Sequence, residues 1–237
     1  MQYLDLTLSS PAANLACDEA LLEACEEQAG GEVLRVWEPL QHFVVVGFSN
    51  RIAREVNAAA CRREHMGIYR RCSGGGAVLQ GPGCLNYTLI LRLDGNAALQ
   101  NISAANRYIM GRHRDALSAL LGRPVRVQGH TDLSVAGLKF SGNAQRRKRH
   151  ALIFHGTFLL RFDLSLMERF LPMPSRQPDY REGRLHGSFL TNLLLPAEAV
   201  KEALRRTWSA GTVLEVVPDC RKLVVEKYSL DEWNLKF

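Results

Sequence analysis

Residues 69 to 78 read Tyr69-Arg70-Arg71-Cys72-Ser73-Gly74-Gly75-Gly76-Ala77-Val78, two arginines followed by three consecutive glycines. Glycine turns easily at positive φ and lets a ligand come close to the backbone. Unpaired N–H groups in such a turn make an anion-binding concavity. Two arginines add permanent charge in a fork that suits phosphate or carboxylate. A basic glycine turn between strands points to a nucleotide or an acyl-phosphate; a tight hairpin with solvated arginines is the competing reading. The turn has no G-x-G-x-x-G spacing and no following Gly-Lys-Ser/Thr, which disfavours Rossmann and P-loop sites.

A second element follows at Asp132-Leu133-Ser134-Val135-Ala136-Gly137-Leu138-Lys139-Phe140-Ser141-Gly142-Asn143-Ala144-Gln145. It sets one lysine among apolar and small residues, and lysine is seldom buried unless paired. On a strand, Lys139 either points into a pocket and holds an anion or faces water. The basic run Arg146 to Arg149 comes next, then the apolar run Ala151 to Leu160, interrupted by His155-Gly156-Thr157. A buried strand carries such polar groups for a satisfied hydrogen bond or for a ligand.

With these residues in view, the chain resembles the lipoate–protein ligase family, whose fold is shared with lipoyl/octanoyl transferases and biotin–protein ligases. The resemblance runs from about Asn14 to Asn192. Three ordered signatures carry it: Arg70 to Val78 with Leu85-Asn86-Tyr87-Thr88 behind it, Gly137 to Gln145, and His155-Gly156-Thr157. Asn14 to Leu22 resembles the family's opening helix, and Leu34 to Trp37 with Val44 to Gly47 its first strand pair.

The resemblance implies a two-step reaction. ATP, with Mg2+, and lipoate or octanoate give an acyl-adenylate and pyrophosphate; the acyl group then passes to a lysine of a lipoyl carrier protein domain. It implies that Lys139 binds both acyl carboxylate and α-phosphate, and that Arg71 contacts phosphate. Gly76, Ala77, Val78 and Leu79 would line the nucleotide, and Gly75, Gly76 and His155 the lipoate. Asp132 and Asn86 are further candidates, Asp132 either holding magnesium, orienting Lys139 or simply forming a turn. Donors fixed toward developing charge in a dry cleft are usually the largest catalytic term. Val44, Val46, Val78 and Leu89 are expected as acyl-tunnel lining or as plain core.

Two departures stand out. Leu79-Gln80-Gly81-Pro82-Gly83-Cys84 replaces a His-Asp pair near positions 80–81 and an asparagine near 84, and Gly129-His130-Thr131-Asp132 replaces an Arg-Asn-Asp run. The main enzymatic rival is an octanoyl/lipoyl transferase acting through a cysteine thioester, which needs a thiolate beside the acyl-binding lysine. Val125 to Gly137 and Phe189 to Leu195, where related transferases place it, contain no cysteine. Cys72 and Cys84 are the remaining candidates. A non-catalytic carrier-binding or lipoate-sensing module is the third reading.

The elements that must position these residues follow from the pattern. The 237 residues, 46% hydrophobic and 23% charged, suit one α+β domain with mixed, largely antiparallel sheets and packed helices. A catalytic domain over 1–210 and an extension over 211–237 are expected; 29 residues after Trp208 are too few for a complete accessory domain. A separate polypeptide would then supply it, if one is needed. The net charge of +6 admits acidic partners. The run Arg146 to Arg149 lacks aromatic interleaving, so nucleic acid is not expected; it reads as a solvated hairpin, either solubilising or facing an acidic carrier. Six cysteines without C-x-x-C and histidines without metal spacing indicate a reducing cytoplasm and no protein-held metal. No apolar run is long enough to span a bilayer.

Helices are expected at Asn14–Glu27, Arg54–Glu64, Ser103–Leu121, Asp163–Phe170 and Pro196–Trp208. Strands are expected at Val33–Trp37, Phe43–Gly47, Gly67–Arg71 and Cys84–Leu93, then a meander from Val125 to Leu160. Pro172 to Gly187 reads as a surface loop able to close over the site. Gly211 to Phe237 reads as one or two strands and a tail.

Overall fold

Alternation of apolar and polar residues along Cys84–Arg92 sets the architecture. Leu85, Tyr87, Leu89 and Leu91 point to one side, Asn86 and Thr88 to the other, as period-2 side chains must. The computed structural model describes residues Met1–Phe237. Eleven strands form it: β1 Gln2–Asp5, β2 Val33–Trp37, β3 Phe43–Val46, β4 Gly67–Arg70, β5 Val78–Gln80, β6 Cys84–Arg92, β7 Val125–Gln128, β8 Asp132–Val135, β9 Leu138–Arg147, β10 Ala151–Leu159 and β11 Thr212–Val213. Eight make one sheet in the order β11-β1-β2-β6-β10-β9-β8-β7, and three make a second, β4-β3-β5. Pairing is antiparallel except β1 with β2 and β11, and β3 with β4. The fold is the expected α+β one, and β7 to β10 form the expected meander.

The apolar face of β6 and β10 packs under the helix Ile102–Leu121 in the largest core, where Ile109, Met110, Leu117, Phe154 and Phe158 are fully buried. Each such side chain contributes about 1.5–3 kcal/mol. That helix starts at Asn101, whose side chain accepts from Ala104 N at 2.9 Å, and stops at left-handed Gly122. The other face of the large sheet is covered by the helix Pro11–Glu26 and the small sheet. Pro11–Glu26 is capped by Ser10, which accepts from Ala13 N at 3.1 Å. No helix is long and apolar enough to cross a membrane.

Four local expectations change. The helix expected over Arg54–Glu64 is two short ones, Ile52–Glu55 and Ala58–Arg63, because Asn57 caps the second. A short strand, β5, follows the glycine turn and pairs with β3. Beyond β11 the chain is helical rather than extended, in turns at Arg221–Leu223, Val224–Tyr228 and Asp231–Asn234. The basic hairpin is not free in solvent: Arg146 pairs with Glu19 at 2.8 Å, Lys148 with Glu23, and Glu26 accepts the N–H groups of Arg149, His150 and Ala151. Two of its four cations are thus paired on the acidic side of the helix Pro11–Glu26, and Arg147 and Arg149 form no ion pair.

Candidate active site

Strand β4 runs parallel to β3 and delivers Arg70 and Arg71 to the glycine turn. Neither is a solvated hairpin cation. Arg70 turns away and donates to the carbonyls of Gly47, Phe48, Asn50 and Trp233. Asn234 and Trp233 side chains bond the backbone N–H and C=O of Arg70 at 2.9 and 2.8 Å, so the helical tail braces this edge strand. Arg71 turns into the turn itself. Its Nε donates to Ser73 Oγ and Gly74 O, and its Nη2 to Gly74 O at 2.6 Å and Gly76 O at 2.9 Å.

In a planar trans peptide the N–H points opposite to the C=O. Carbonyls of Gly74 and Gly76 held on Arg71 therefore turn the N–H groups of Gly75 and Ala77 away from it. No backbone N–H from Cys72 to Ala77 donates to a protein acceptor. Gly75 has φ +89°, and a Cβ there would stand 2.8 Å from Arg71 Nη2, so glycine is required. Most of the Arg71 guanidinium is thus committed to shaping the turn; Nη1 alone makes no hydrogen bond. Burial lowers its pKa to about 10, which leaves it cationic at neutral pH.

Lys139 stands on β9 opposite Ser134 of β8. Its Nζ pairs with Asp132 Oδ1 at 2.8 Å, and Tyr180 Oη donates to Asp132 Oδ2 at 2.8 Å. Asp132 therefore holds Lys139 and Tyr180 on its two carboxylate oxygens. Tyr180 comes from the Pro172–Gly187 segment. This segment is fastened rather than free, since Ser175 also bonds Glu55 and Arg181 stacks on Phe189.

His155 joins three elements. Ser73 Oγ lies 2.5 Å from His155 Nε2, and His155 Nδ1 lies 3.9 Å from Asp18 Oδ2. Ser73 Oγ also accepts from Arg71 Nε, which ties His155 to the glycine turn. Burial opposes the charge on Asp18, yet Arg35 at 2.5 Å and His155 hold its carboxyl below the usual range. Gly156 is needed beside it, because a Cβ there would lie 1.7 Å from Asn143 Oδ1. That oxygen accepts from Tyr87 Oη at 2.6 Å.

Asn86 is enclosed in a ring of hydrogen bonds. Its Nδ2 donates to Gln80 Oε1 at 3.0 Å, Gln80 Nε2 to Thr157 Oγ1 at 3.1 Å, and Thr157 Oγ1 to Asn86 Oδ1 at 2.5 Å. Gln80 thus has a network of its own where the resemblance leads one to expect His-Asp. At Gly81 the ring of His42 fills the side-chain space, 2.2 Å from where a Cβ would stand.

Two adjoining cavities, of about 160 and 690 Å³, share Gly76, Ala77, Val78, Asp132 and Lys139 as a common wall. Arg71, Gly75, Asn86 and His155 line the smaller one and Leu79 the larger, so every candidate residue reaches the same cleft. Of the four residues expected as tunnel lining or plain core, Val78 lines the cleft and the other three are core. Val44 and Val46 pack with Val56 and Leu79, and Leu89 lies in the core under the long helix. Strand parity places Val45 at the cleft instead. No cysteine lines either cavity, and burial pushes the thiol pKa of Cys72 up to about 11 and of Cys84 up to about 12.

Sequence reasoning missed Asp18, Tyr87 and Asn143 as site residues, although all three stand in or beside the quoted motifs. It also missed Tyr180 and Arg181, which lie in a stretch without periodicity or motif.

The model of the lipoyl protein ligase A/B catalytic domain matches residues 10–208. Octanoyltransferase LipM of Brevibacillus brevis is 24% identical over 274 aligned residues, covering 99% of this chain and 98% of that protein. Lipoate–protein ligase 1 of Staphylococcus aureus is 26% identical over 240 residues, covering 96% of this chain and 70% of that protein. The bipartite lipoate–protein ligase of Thermoplasma acidophilum, solved with its E2 lipoyl domain, superposes with a TM-score of 0.80 at 23% identity, covering 99% of this chain and 96% of that one. At that identity the structural likeness speaks to the fold.

Proposed function

Because this chain belongs to the lipoyl protein ligase A/B catalytic-domain family, an enzyme family of lipoate and octanoate transfer, we propose that it is an ATP-dependent lipoate–protein ligase. The carboxylate oxygen of lipoate or octanoate attacks the α-phosphorus of ATP, and pyrophosphate leaves. A lysine ε-amine of a lipoyl carrier domain then attacks the acyl carbon, and AMP leaves. One observation carries the reading: Lys139 and a glycine turn whose amides have no protein acceptor line one cleft that no thiol lines. These donors oppose the charge that develops on phosphate and carboxylate oxygens.

The smaller cavity is suited to the acyl chain. Its polar side chains are bonded to one another, which leaves Leu15, Val45, Val78 and the Tyr87 ring as apolar surface. The larger cavity is suited to the nucleotide, and Lys139 on the shared wall reaches both reactants. It reduces their mutual repulsion and fixes their approach. Mg2+ would arrive with the phosphates, as it usually does, keeping waters and one or two carboxylates. Asp132 is the carboxylate at hand, and no cluster of three metal-ligating side chains exists elsewhere. Asp18 and Ser73 would hold His155 and the turn in place.

Similarity to octanoyltransferases over nearly their whole length supports a second reading, octanoyl transfer from one carrier to another without nucleotide. A cysteine route for that transfer needs a thiolate within reach of Lys139, and the buried thiols here disfavour it. Likeness to a bipartite ligase supports a separate accessory polypeptide as a partner.

The test is pyrophosphate release from ATP with lipoate, octanoate or no acid. Acid-dependent release that Lys139→Ala lowers about a thousandfold, and that Cys72→Ser and Cys84→Ser leave intact, is expected. Octanoyl transfer without ATP that depends on a cysteine would overturn the ligase reading.

A further inference from the structure

We infer that Arg181 is a phosphate-binding residue of the larger cavity. Four arginines are buried: Arg35, Arg70, Arg71 and Arg181. Burying an unpaired charge is costly, so each must find compensation. Arg35 has Asp18 and Asn14, Arg70 has four carbonyls, and Arg71 has two carbonyls and a hydroxyl.

Arg181 has much less. Its Nε donates to Arg184 O at 2.9 Å, and its Nη2 meets only the sulfur of Met173 at 3.4 Å, a weak acceptor. No carboxylate lies within ion-pair distance, although the side chain is only 4% exposed. The guanidinium lies 4.7 Å over the ring of Phe189, which fixes its plane. Arg181 lines the same cavity as Lys139. Of the cavity's other charges, Asp132 is paired with Lys139 and Glu55 with the Ser175 hydroxyl, while Arg176 and Asp179 are exposed to solvent. A planar, desolvated fork without a counter-charge is matched by a phosphate oxyanion.

This assignment rests on the nucleotide reading for the identity of the phosphate. The phosphate of a pantetheine arm offers the same chemistry, so the test uses both. Binding of Mg-ATP and of 4′-phosphopantetheine is measured by calorimetry on the wild-type chain, Arg181→Met and Arg181→Lys, with thermal melting as a check on folding. Wild-type binding of Mg-ATP, weakened about tenfold or more in Arg181→Met and less in Arg181→Lys, is expected. Binding of phosphopantetheine alone, weakened in the same variants, upholds the phosphate site and overturns the nucleotide reading. If Arg181→Met fails to fold, Arg181→Lys decides. Unchanged affinity in folded variants, or no binding of either probe by the wild type, overturns the proposal.

Discussion

The two cavities of the cleft are built on different terms. The smaller is walled by strands, and its polar side chains are spent on each other: Gln80 with Asn86 and Thr157, Tyr87 with Asn143, His155 with Ser73. The larger takes much of its wall from the Pro172–Phe189 segment, and its charges are less completely held, Asp132 by Lys139 and Tyr180, Arg181 by a carbonyl and a sulfur. A wall whose polar groups are mutually satisfied fixes shape. A wall with a charge left over, as at Arg181, suits a charged ligand. Charge reaches the smaller cavity at the glycine turn, on Arg71, and at the shared wall of Asp132 and Lys139.

That contrast is open to attack. The largest effect is expected at Gly156, where alanine drives a methyl into Asn143 Oδ1. Gly156→Ala should cost about 3 kcal/mol of stability, as overpacking does, and should disturb acid binding more than nucleotide binding. Denaturant melts and acid titrations check it; an unaltered melt would show that the strand-built cavity yields easily.

A smaller effect concerns pH. His113 lies behind that cavity, its ring 4.7 Å from Tyr87 and edge-on to it, and its Nε2 accepts from Trp208 Nε1 at 2.9 Å. Burial first, then the charge of Arg112, lowers its pKa from 6.5 to about 3. Between these values the unfolded chain binds a proton that the folded chain refuses. Stability is then full above the unfolded pKa and falls as pH drops, by about 2 kcal/mol at pH 5. His113→Phe should flatten that slope in unfolding measured from pH 7.5 to 5; an equal slope in the variant would remove His113 as its source.

The smallest effect belongs to the larger cavity. Tyr180→Phe removes one hydrogen bond to a carboxylate, worth about 1.5 kcal/mol, or roughly tenfold. It should lower kcat for pyrophosphate release with little change in the KM for acid, alongside a melting temperature lowered by a few degrees. An unchanged kcat with only the melting temperature lowered would make Tyr180 a mere fastening of its segment.

Much of this site was legible from sequence because its signals are local. Gly74 to Gly76 after two arginines announces a tight turn at a cleft, and Lys139 between glycines announces an inward lysine. What was missed or left open required knowledge of direction or distance. Val44, Val46 and Leu89 read equally as tunnel lining or plain core, because only pairing decides which parity meets the cleft. The Arg146–Arg149 run carries no trace of Glu19, Glu23 and Glu26, more than a hundred residues earlier, which pair with Arg146 and Lys148 and accept its backbone N–H groups. Tyr180 and Arg181 lie in a proline- and charge-rich stretch whose composition says only that it is not a helix or strand. Val224 and Val225 favour a strand locally, whereas docking of Tyr228 on Glu19 and of Trp233 on Arg70 selects helical turns.

The brace on Arg70 also bears on how the protein is made. Its backbone is bonded by residues 163 and 164 positions later in the chain. Such distant closures are slow to form, because loop entropy must be lost before the contact repays it. During synthesis the glycine turn leaves the ribosome long before Trp233 and Asn234 exist. The nascent chain therefore carries the anion turn in sequence but lacks the brace that holds its strand.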